Sequence, residues 1–386
     1  MRFLPAVFWT SALLVAYTYL AYPVLMWTLA ALRRAWRVPG AAAPGIPPSV
    51  SILVAAYNES AVIRRKVENI LALDYPSGKV QVLIGSDGSD DATVAVARAA
   101  LPPGRGEVVE FPRRGKIFVQ NDLAVRASGE LLVFTDANTM FDVGALAELV
   151  RPFSDPKIGC ASGLLQLSGA GGHAGAEGES FYWRYETFKK LQEDEFRSVA
   201  GANGAIFALR KELFVPFGPR TINDDLTASM RVYLRGRRIA LVPTARARED
   251  TAPTLAGEFR RHTRDSAGHF VALLELRGLL DPRLGMPAFC YLSHRVIRWL
   301  VPFFLIAALA ASAALAGRPM YRALLFIQLL GYAACLAVTP AALRGARLGP
   351  FRIPYYFVFV NVAILAGFRL FLAGSQNSAW QPTARS

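Results

Sequence analysis

The sequence predicts an α/β domain held between membrane-spanning helices, and three observations carry this prediction. The chain of 386 residues is 53% hydrophobic with a mean hydropathy of +0.30, which is too apolar for an ordinary soluble protein. All Asp and Glu residues lie between Glu59 and Asp281, and long uncharged stretches flank that segment. Within it, buried strand patterns alternate with helical ones, which indicates a mostly parallel sheet covered by helices.

The net charge of +14 comes from the flanks. The segment 59–281 carries all 29 acidic residues and 29 of the 43 basic ones, so its own charge is zero. The other 14 basic residues are arginines close to apolar stretches, as is typical of membrane proteins. A nucleic-acid-binding domain would carry its positive charge on the folded module, so we expect no nucleic-acid partner. Cys160, Cys290 and Cys335 are far apart, which favours neither a zinc site nor disulfides.

Residues 3–32 form an uncharged apolar stretch that is long enough to span a bilayer. The stretch is too long for the apolar core of a signal peptide, and its strongest positive cluster, which begins at Arg33, follows it. By the positive-inside rule, that cluster lies in the cytoplasm. We therefore expect an N-terminal transmembrane helix over 1–37 and a Pro/Gly/Ala linker over 38–48.

Residues 49–281 carry the alternation of strands and helices and are expected to form a cytoplasmic catalytic domain. The first strand pattern, SVSILVAA, is followed by the helical pattern AVIRRKVENILAL. A second strand, VQVLIGSD, ends in a Gly/Asp/Ser turn and precedes a helix from about Asp91. A third helix is predicted in GKIFVQNDLAVRAS, and a further strand in ELLVFTD.

The chain returns to apolar composition after Leu284. We expect an amphipathic interface helix over 282–299, transmembrane helices over 300–373 and a C-terminal tail over 374–386. The candidate spans lie at about 300–317, 321–341 and 353–373. The arginine-rich loop before the last span should be cytoplasmic, which would place both chain ends outside. The last span is short, because only 16 residues separate Arg352 from Arg369.

Polar residues follow three of the predicted strands, in the segments AAYNES, GSDGSDDAT and TDANT. Asp136 and Asn138 of the third segment would suit an Asx turn, because both residue types hydrogen-bond their own backbone. The alternative is an oxygen-ligand site for a hard cation. The carboxyl ends of parallel strands meet in one crevice, and open α/β sheets bind ligands there. Carboxylates and a cation in such a crevice would suit a nucleotide diphosphate.

The segment INDDLT places two adjacent carboxylates, Asp224 and Asp225, at the start of a predicted helix. They could cap the helix and interact favourably with its dipole. They could also supply a general base, since burial and a neighbouring carboxylate raise the pKa of a carboxyl group.

The chain resembles the family 2 inverting glycosyltransferases of the membrane-embedded bacterial branch. The resemblance lies in seven segments and in their order, which is AAYNES, SDGSDDAT, GK, TDANT, GANGAIFALR, NDDL and RRHTRDSAG. That branch includes the cellulose, chitin and hyaluronan synthases and many exopolysaccharide enzymes. The resemblance covers about 50–275. It implies a GT-A fold, which is a Rossmann-like nucleotide-diphospho-sugar transferase domain, in an enzyme of the bacterial inner membrane.

The resemblance also implies roles for individual residues. The nucleotide-binding positions that it implies are Tyr57, Asn58, Glu59, Asp87, Asp91 and Lys116. Mg²⁺ or Mn²⁺ would be bound by Asp136 of the family's Asp-x-Asp motif and by Asn138, where the family usually has a carboxylate. An amide oxygen still coordinates these ions, although it brings no charge. Asp225 corresponds to the catalytic base, and Asp224 stands beside it.

Acceptor and diphosphate positions are implied as well. They are Gly201, Asn203, Gly204, Arg261 and Arg264. Synthases that polymerise usually carry Gln-x-x-Arg-Trp, but this chain has Asp265 in place of the Trp. Asp265 cannot stack on a growing glycan, which favours one or very few transfers. His262 and His269 lack a paired His/Cys spacing, so we expect them on a polar helix face rather than on a metal.

These features predict an inverting transfer of sugar from a nucleotide sugar, with a UDP-sugar expected, to a lipid-linked or glycan acceptor at the membrane. Three alternatives remain open. A processive polysaccharide synthase would need a translocation channel, and about four spans supply little material for one. A transporter would place polar residues in broken helices at the bilayer midplane. A non-catalytic subunit that binds nucleotide sugars would not need Asp225.

Overall fold

The α/β domain is built on one eight-stranded sheet in the computed structural model, which describes residues 3–36, 46–168, 174–250, 255–346 and 348–374. Most of the expected linker and tail lies outside these residues. The strands are β1 (Val50–Ala56), β2 (Val80–Asp87), β3 (Gly106–Phe111), β4 (Leu131–Asp136), β5 (Met140–Phe141), β6 (Ile158–Ser168), β7 (Phe207–Arg210) and β8 (Arg238–Asp250).

The strand order is β3-β2-β1-β4-β7-β6-β8-β5. The first four strands in this order pair in parallel, as the sequence predicts. The second half is mixed, because β7 is antiparallel to both β4 and β6, and β5 is antiparallel to β8. The expectation of a mostly parallel sheet therefore needs correction there. The regular strand–helix alternation that brings successive strands back in parallel ends after β4.

The helices cover the sheet and continue into the apolar flanks. They are α1 (Leu4–Trp36), α2 (Ile63–Leu71), α3 (Thr93–Ala100), α4 (Lys116–Arg126), α5 (Ala145–Val150), α6 (Ala174–Asp194), α7 (Asp224–Leu234), α8 (Leu255–Glu275), α9 (Met286–Ala314), α10 (Pro319–Leu343) and α11 (Gly349–Leu372). The structure confirms the predicted strands β1, β2 and β4 and the helices α2 to α4. It adds α6, which the sequence patterns did not indicate.

β1 shows why the centre of the sheet forms. All seven of its residues are buried, and they alternate between the two faces of the sheet. Leu53 and Ala55 pack in the core that includes α4, whereas Ile52 and Val54 pack in the core that includes α2. Full burial of each large aliphatic side chain contributes about 1.5–3 kcal/mol. A strand with two buried faces needs the continuous apolar pattern that its sequence has.

Within the part of the chain that the structure describes, four helices are long and apolar enough to cross a membrane, namely α1, α9, α10 and α11. Their number agrees with the sequence prediction of one span before the α/β domain and three after it. α9 differs in its extent, because residues 286–314 form one helix of 29 residues. The interface helix expected over 282–299 and the span expected from 300 are thus continuous. Pro287 lies in the first turn, where proline is tolerated, and a π-helical turn over Tyr291–Val296 keeps the helix unbroken.

α11 packs closely on α8 through Gly367. A Cβ atom at this glycine would lie 2.6 Å from the Thr263 carbonyl oxygen and 2.6 Å from the Ser266 Cβ. Close packing of this kind fixes α8 between the apolar helices and the α/β domain. On its other side, Gly268 of α8 packs against Ile222 and Asn223, which directly precede α7.

We predict that Gly367→Leu destabilises the protein by about 1–3 kcal/mol, because the added side chain must force α11 away from α8. Thermal unfolding in detergent micelles would measure the change. Gly331→Leu on α10 is the matched control, since a Cβ atom at Gly331 meets nothing within 4 Å. Equal melting temperatures for the two variants would contradict the importance of this contact.

Candidate functional site

The carboxyl ends of β1, β2 and β4 lie side by side and bring the predicted polar segments to one edge of the sheet. Ala55 pairs with Asp136 across β1 and β4, and Ala56 pairs with Ser86 across β1 and β2. This register follows from parallel pairing, in which strand ends meet at the same edge. The residues after β1, β2 and β4 therefore do not need to be neighbours in sequence to share one crevice.

Lys116 is the residue that connects the centre of the crevice. Its ammonium lies 2.8 Å from Asp136 Oδ1 and 3.2 Å from Asp224 Oδ2. The Gln120 amide, one turn further along α4, donates to the same Asp224 oxygen at 2.7 Å. Burial would lower the pKa of Lys116, but the two carboxylates raise it above the usual lysine value. Three residues predicted from separate segments are thus in direct contact.

Asp225 follows Asp224 at the start of α7 and faces the segment that contains Gly204. A Cβ atom at Gly204 would lie 3.2 Å from Asp225 Oδ2, so the absence of a side chain there lets the backbone approach the carboxylate closely. Burial raises the pKa of Asp225 to about 6, with the charge of Asp224 adding to the effect. A carboxyl group with such a pKa is suited to accept a proton near neutral pH.

Two serines that the sequence analysis did not single out hold the segment 199–204 in place. Ser229 accepts a hydrogen bond from the Ala202 amide at 2.9 Å, and Ser162 accepts one from the Asn203 amide at 2.9 Å. Gly201 has a φ of +100°, a backbone conformation that side-chain-bearing residues rarely adopt. We call residues 199–204 the acceptor loop, after the role that the sequence resemblance implies for it.

β4 ends at Asp136, and Asn138 lies in the turn that follows the strand. Its amide nitrogen donates to Glu249 Oε1 at 2.8 Å, and the Thr139 hydroxyl donates to the other Glu249 oxygen at 3.3 Å. Burial and the charge of Asp136 raise the pKa of Glu249. The sequence analysis missed Glu249, which lies at the end of β8 and is 111 positions from Asn138.

Lys66 lies behind the turn that carries Asp136 and Asn138. Its side chain is fully buried on α2, and its ammonium donates to the Thr135 hydroxyl at 2.9 Å and to the Thr139 carbonyl at 2.5 Å. Burial lowers the pKa of Lys66 to about 7, although nearby carboxylates oppose the change. The two hydrogen bonds span the turn from one end to the other and fix its shape. The sequence signal that could have pointed to Lys66 is a lysine on the apolar face of a predicted helix.

The proposed nucleotide side of the crevice is centred on Asp87. Its carboxylate accepts hydrogen bonds from the backbone amides of Arg114 and Gly115 at 2.8–3.0 Å and lies 3.6 Å from the Arg113 guanidinium. Arg113 in turn stacks on the Tyr57 ring, with its central carbon 3.1 Å from the ring centroid. Asp87 thus holds the segment that leads into Lys116, which places the two groups in one continuous unit.

The remaining predicted nucleotide positions form a turn beside Asp87. Asn58 adopts a left-handed conformation with a φ of 53°, and its side-chain oxygen accepts from the Asp90 amide. Asp91 accepts from the Ser60 amide at 3.1 Å and from the Thr93 amide at 2.9 Å. Glu59 is buried, and its amide donates to the Thr93 hydroxyl. These bonds join the turns after β1 and β2 into a single surface.

Arg261 and Arg264 lie on α8, at the membrane side of the domain. The charge of Arg261 acts on Glu249, so this arginine faces the carboxylates of the crevice. Arg264 lies 3.4 Å from Asp265. His262 contacts the Tyr356 hydroxyl of α11 at 3.2 Å, and His269 stacks on Trp299 of α9. The two histidines therefore serve helix packing. Among the described residues, no group of three His, Cys, Asp or Glu side chains could hold a metal ion.

Comparison with known proteins agrees with this geometry. Residues 47–268 match the family model described as glycosyltransferase like family 2. The chain belongs to glycosyltransferase family 2. The matched segment contains every strand of the sheet, the Lys116–Asp136–Asp224 contact and the acceptor loop. It also reaches Gly268 on α8, the last residue of the RRHTRDSAG segment.

Curated relatives of this family 2 chain act in polysaccharide and glycolipid synthesis. The poly-beta-1,6-N-acetyl-D-glucosamine synthase of Staphylococcus aureus is 27% identical over 230 residues, which cover 58% of this chain and 55% of the relative. The beta-monoglucosyldiacylglycerol synthase of Trichormus variabilis is 25% identical over 249 residues, which cover 62% of this chain and 53% of the relative. The chain thus spans about half the length of the curated relatives it matches.

A solved structure shows the same fold over nearly the whole chain. The mannosyltransferase PcManGT from Pyrobaculum calidifontis, in complex with GDP-Man and Mn²⁺, superposes with a TM-score of 0.72 at 23% identity. The match covers 96% of this family 2 chain and 99% of PcManGT. It therefore includes the four apolar helices as well as the GT-A sheet and confirms the predicted fold class.

We predict that the stability of the protein depends on pH through Lys66. Its folded-state pKa is about 7, below the usual value of 10.5, so between these values only the unfolded chain binds the proton. Stability therefore rises with pH across this range, by up to about 1.4 kcal/mol per pH unit. Lys66→Met removes this pH dependence. The stability of the wild type relative to the variant should therefore increase as the pH rises.

Thermal unfolding at about pH 7 and about pH 10 would measure the gap between wild type and Lys66→Met. Lys79→Met, at a half-buried position before β2 whose ammonium donates to the Pro47 carbonyl, is the control. A gap that stays constant with pH in the Lys66 variant would contradict the assigned pKa.

Proposed function

We propose that the protein is an inverting glycosyltransferase that moves one sugar, or very few, from a UDP-sugar to a lipid-linked or glycan acceptor at the bacterial inner membrane. One observation carries the proposal. Lys116 contacts both Asp136 and Asp224 on the donor side of the crevice, while Asp225, the neighbour of Asp224, faces Gly204 on the acceptor side. An acceptor hydroxyl at Asp225 and a donor diphosphate near Lys116 would therefore be adjacent.

The reaction is a single displacement. Asp225 takes the proton from the acceptor hydroxyl, and the oxygen forms a bond to the anomeric carbon. The bond from that carbon to the diphosphate oxygen breaks, and its electron pair leaves with the nucleoside diphosphate. Because attack and departure occur on opposite faces, an α-linked donor gives a β-linked product. Lys116 is placed to stabilise the charge that develops on the leaving diphosphate.

A divalent cation fits the oxygen atoms at the end of β4. Asp136 and Glu249 are two carboxylates close enough for the charge of one to raise the pKa of the other, which is the environment that a cation relieves. We propose that Asp136, Asn138 and Glu249 would hold Mg²⁺ or Mn²⁺. Such an ion supplies a Lewis acid for the diphosphate. Glu249 would restore the negative charge that Asn138 lacks in comparison with the usual motif.

For the nucleotide, we propose that Tyr57, Asn58, Glu59, Asp87 and Asp91 form the base and ribose surface. The continuity of the turns after β1 and β2 supports this assignment, as does the hydrogen bonding of Asp87 to the segment before Lys116. Arg261 and Arg264 are proposed to bind acceptor or diphosphate oxygens, since arginine suits bidentate contacts with phosphate.

A lipid-linked acceptor is supported by the four apolar helices and by α8, which lies between them and the catalytic edge. The curated relative named for glucosyldiacylglycerol synthesis is consistent with it. Processive synthesis is the second candidate, favoured by the relative named as a polysaccharide synthase. We propose a cytoplasmic catalytic domain, because positive residues flank the α/β domain at the end of α1.

We predict that Asp225→Asn lowers sugar transfer by about 10²–10⁴-fold, because the amide cannot accept the hydroxyl proton. Binding of UDP, measured by calorimetry, should stay within about twofold of wild type, since Asp225 contacts no diphosphate position in this proposal. Asp155→Asn, on an exposed turn before β6, is the control. Full activity in Asp225→Asn would overturn the role of base.

The same assay decides the product length. Mass spectrometry after long incubation with excess donor should find one or a few added sugars. A ladder of many sugars that persists under acceptor excess would favour the processive synthase.

We predict that Lys116→Met has opposite effects on the two donor-side ligands. Removal of the ammonium frees Asp136, so Mn²⁺ alone should bind more tightly, whereas UDP should bind more weakly for lack of a cation at the diphosphate. Paramagnetic-resonance titration would measure free Mn²⁺, and calorimetry would measure UDP. Asp136→Asn should weaken both, and Lys79→Met neither. Unchanged Mn²⁺ binding in Asp136→Asn would overturn the metal assignment.

A further inference from the structure

A buried polar cluster joins the first apolar helix to the acceptor loop. At its centre is Glu193 of α6, whose side chain is fully buried. One carboxylate oxygen accepts from the Tyr22 hydroxyl of α1 at 2.6 Å and lies 2.6 Å from His294 Nδ1 of α9. The other oxygen accepts from the backbone amide of Ala200 at 2.9 Å. A single carboxylate therefore contacts two apolar helices and the acceptor loop.

Two further side chains hold the same stretch of backbone. The Arg295 guanidinium of α9 donates to the Ala200 carbonyl at 2.7 Å, and the Lys190 ammonium of α6 donates to the Ala202 carbonyl at 3.3 Å. Ala200 thus has both its amide and its carbonyl bonded to side chains of this cluster. These bonds come from α6 and α9, whereas those of Ser229 and Ser162 come from α7 and β6.

Glu186 closes the cluster on the far side of His294. It lies 3.0 Å from His294 Nε2 and forms ion pairs with Lys189, Arg295 and Arg298 at 2.9–3.1 Å. Buried charges are expensive to desolvate unless they are paired and hydrogen-bonded. Every bond that fixes His294 and Glu193 therefore matters for the geometry of the whole cluster.

Both apolar helices depart from regular α-helix at this cluster. A π-helical turn over Tyr17–Ala21 directly precedes Tyr22, and His294 lies inside the π-helical turn over Tyr291–Val296. π-helical turns are rare and are frequently found at functional sites. Here they occur in the two helices that contact Glu193.

We propose that Tyr22, Glu193 and His294 are positioning residues for the acceptor, and that they make acceptor binding depend on the packing of the first apolar helix. The inference rests on the proposed function for its kinetic consequence. Donor binding lies on the other side of Asp224 and should not depend on these residues. The acceptor loop should lose its alignment when the hydroxyl of Tyr22 is removed, because Glu193 then keeps fewer of its bonds.

The chain offers a matched control for this proposal. The Tyr17 hydroxyl bonds the Ser293 hydroxyl at 2.8 Å, which also joins α1 to α9 one turn away from Tyr22. That bond does not involve Glu193 or the acceptor loop. Tyr17→Phe and Tyr22→Phe therefore each remove one hydroxyl at the same helix contact, and only Tyr22→Phe should affect the loop.

The first measurement is hydrogen–deuterium exchange of the full-length protein in detergent, without substrate. Tyr22→Phe should speed exchange in peptides that cover the acceptor loop, because the Ala200 amide loses a well-placed acceptor. Tyr17→Phe should leave these peptides unchanged. Equal exchange in the two variants would overturn the positioning role, whatever reaction the protein catalyses.

The second measurement is steady-state transfer with the donor and the acceptor varied separately. Tyr22→Phe should raise the acceptor KM about five- to tenfold, as expected for one hydrogen bond, and should leave the donor KM and transfer to water within about twofold. Tyr17→Phe should change neither KM. If Tyr22→Phe impairs the acceptor KM, the donor KM and the transfer to water to the same extent, the role of Tyr22 is merely structural. Absence of any transfer by the wild type would overturn the proposed function, while the exchange result would still decide the positioning role.

Discussion

The ammonium of Lys116 between Asp136 and Asp224 is the interaction on which the rest of the site depends. Asp136 ends the fourth strand and Asp224 begins α7, so one side chain ties the sheet edge to the helix that carries Asp225. Two carboxylates this close would repel one another without a cation. The ammonium of Lys116 offsets this repulsion and so holds the two carboxylates in one crevice.

The part of the site that could be predicted from the sequence is the part made by parallel strands. Apolar patterns located β1, β2 and β4, and their ends brought Asp87, Asp136 and the turn residues to one edge. Glu249 could not be found in this way, because it comes from β8 in the mixed half of the sheet, where strand order does not follow chain order. The role of Lys66 could not be predicted either. Its ammonium bonds the Thr135 hydroxyl and the Thr139 backbone carbonyl, which are distant from it in the sequence.

The sequence analysis did not predict α6, and the physical reason differs from that for Glu249. The face that it buries carries Glu186, Lys189 and Glu193, which pair with each other and with α9 instead of packing as apolar side chains. Periodic hydrophobicity is the main signal for a buried helix, and ion pairs between distant segments erase that signal. The helix that reaches the acceptor loop therefore shows little apolar periodicity in its sequence.

The continuity of α9 has a consequence for the lipid around the protein. At 1.5 Å per residue, a helix of 29 residues is about 43 Å long, whereas the hydrocarbon core of a bilayer is about 30 Å thick. A helix that is longer than the core adjusts its tilt when the bilayer becomes thicker or thinner. Arg295 of this helix donates to the Ala200 carbonyl, so a change of tilt would shift the acceptor loop even when no ligand is bound. A mismatch between the length of α9 and the thickness of the bilayer would then alter the position of the acceptor loop.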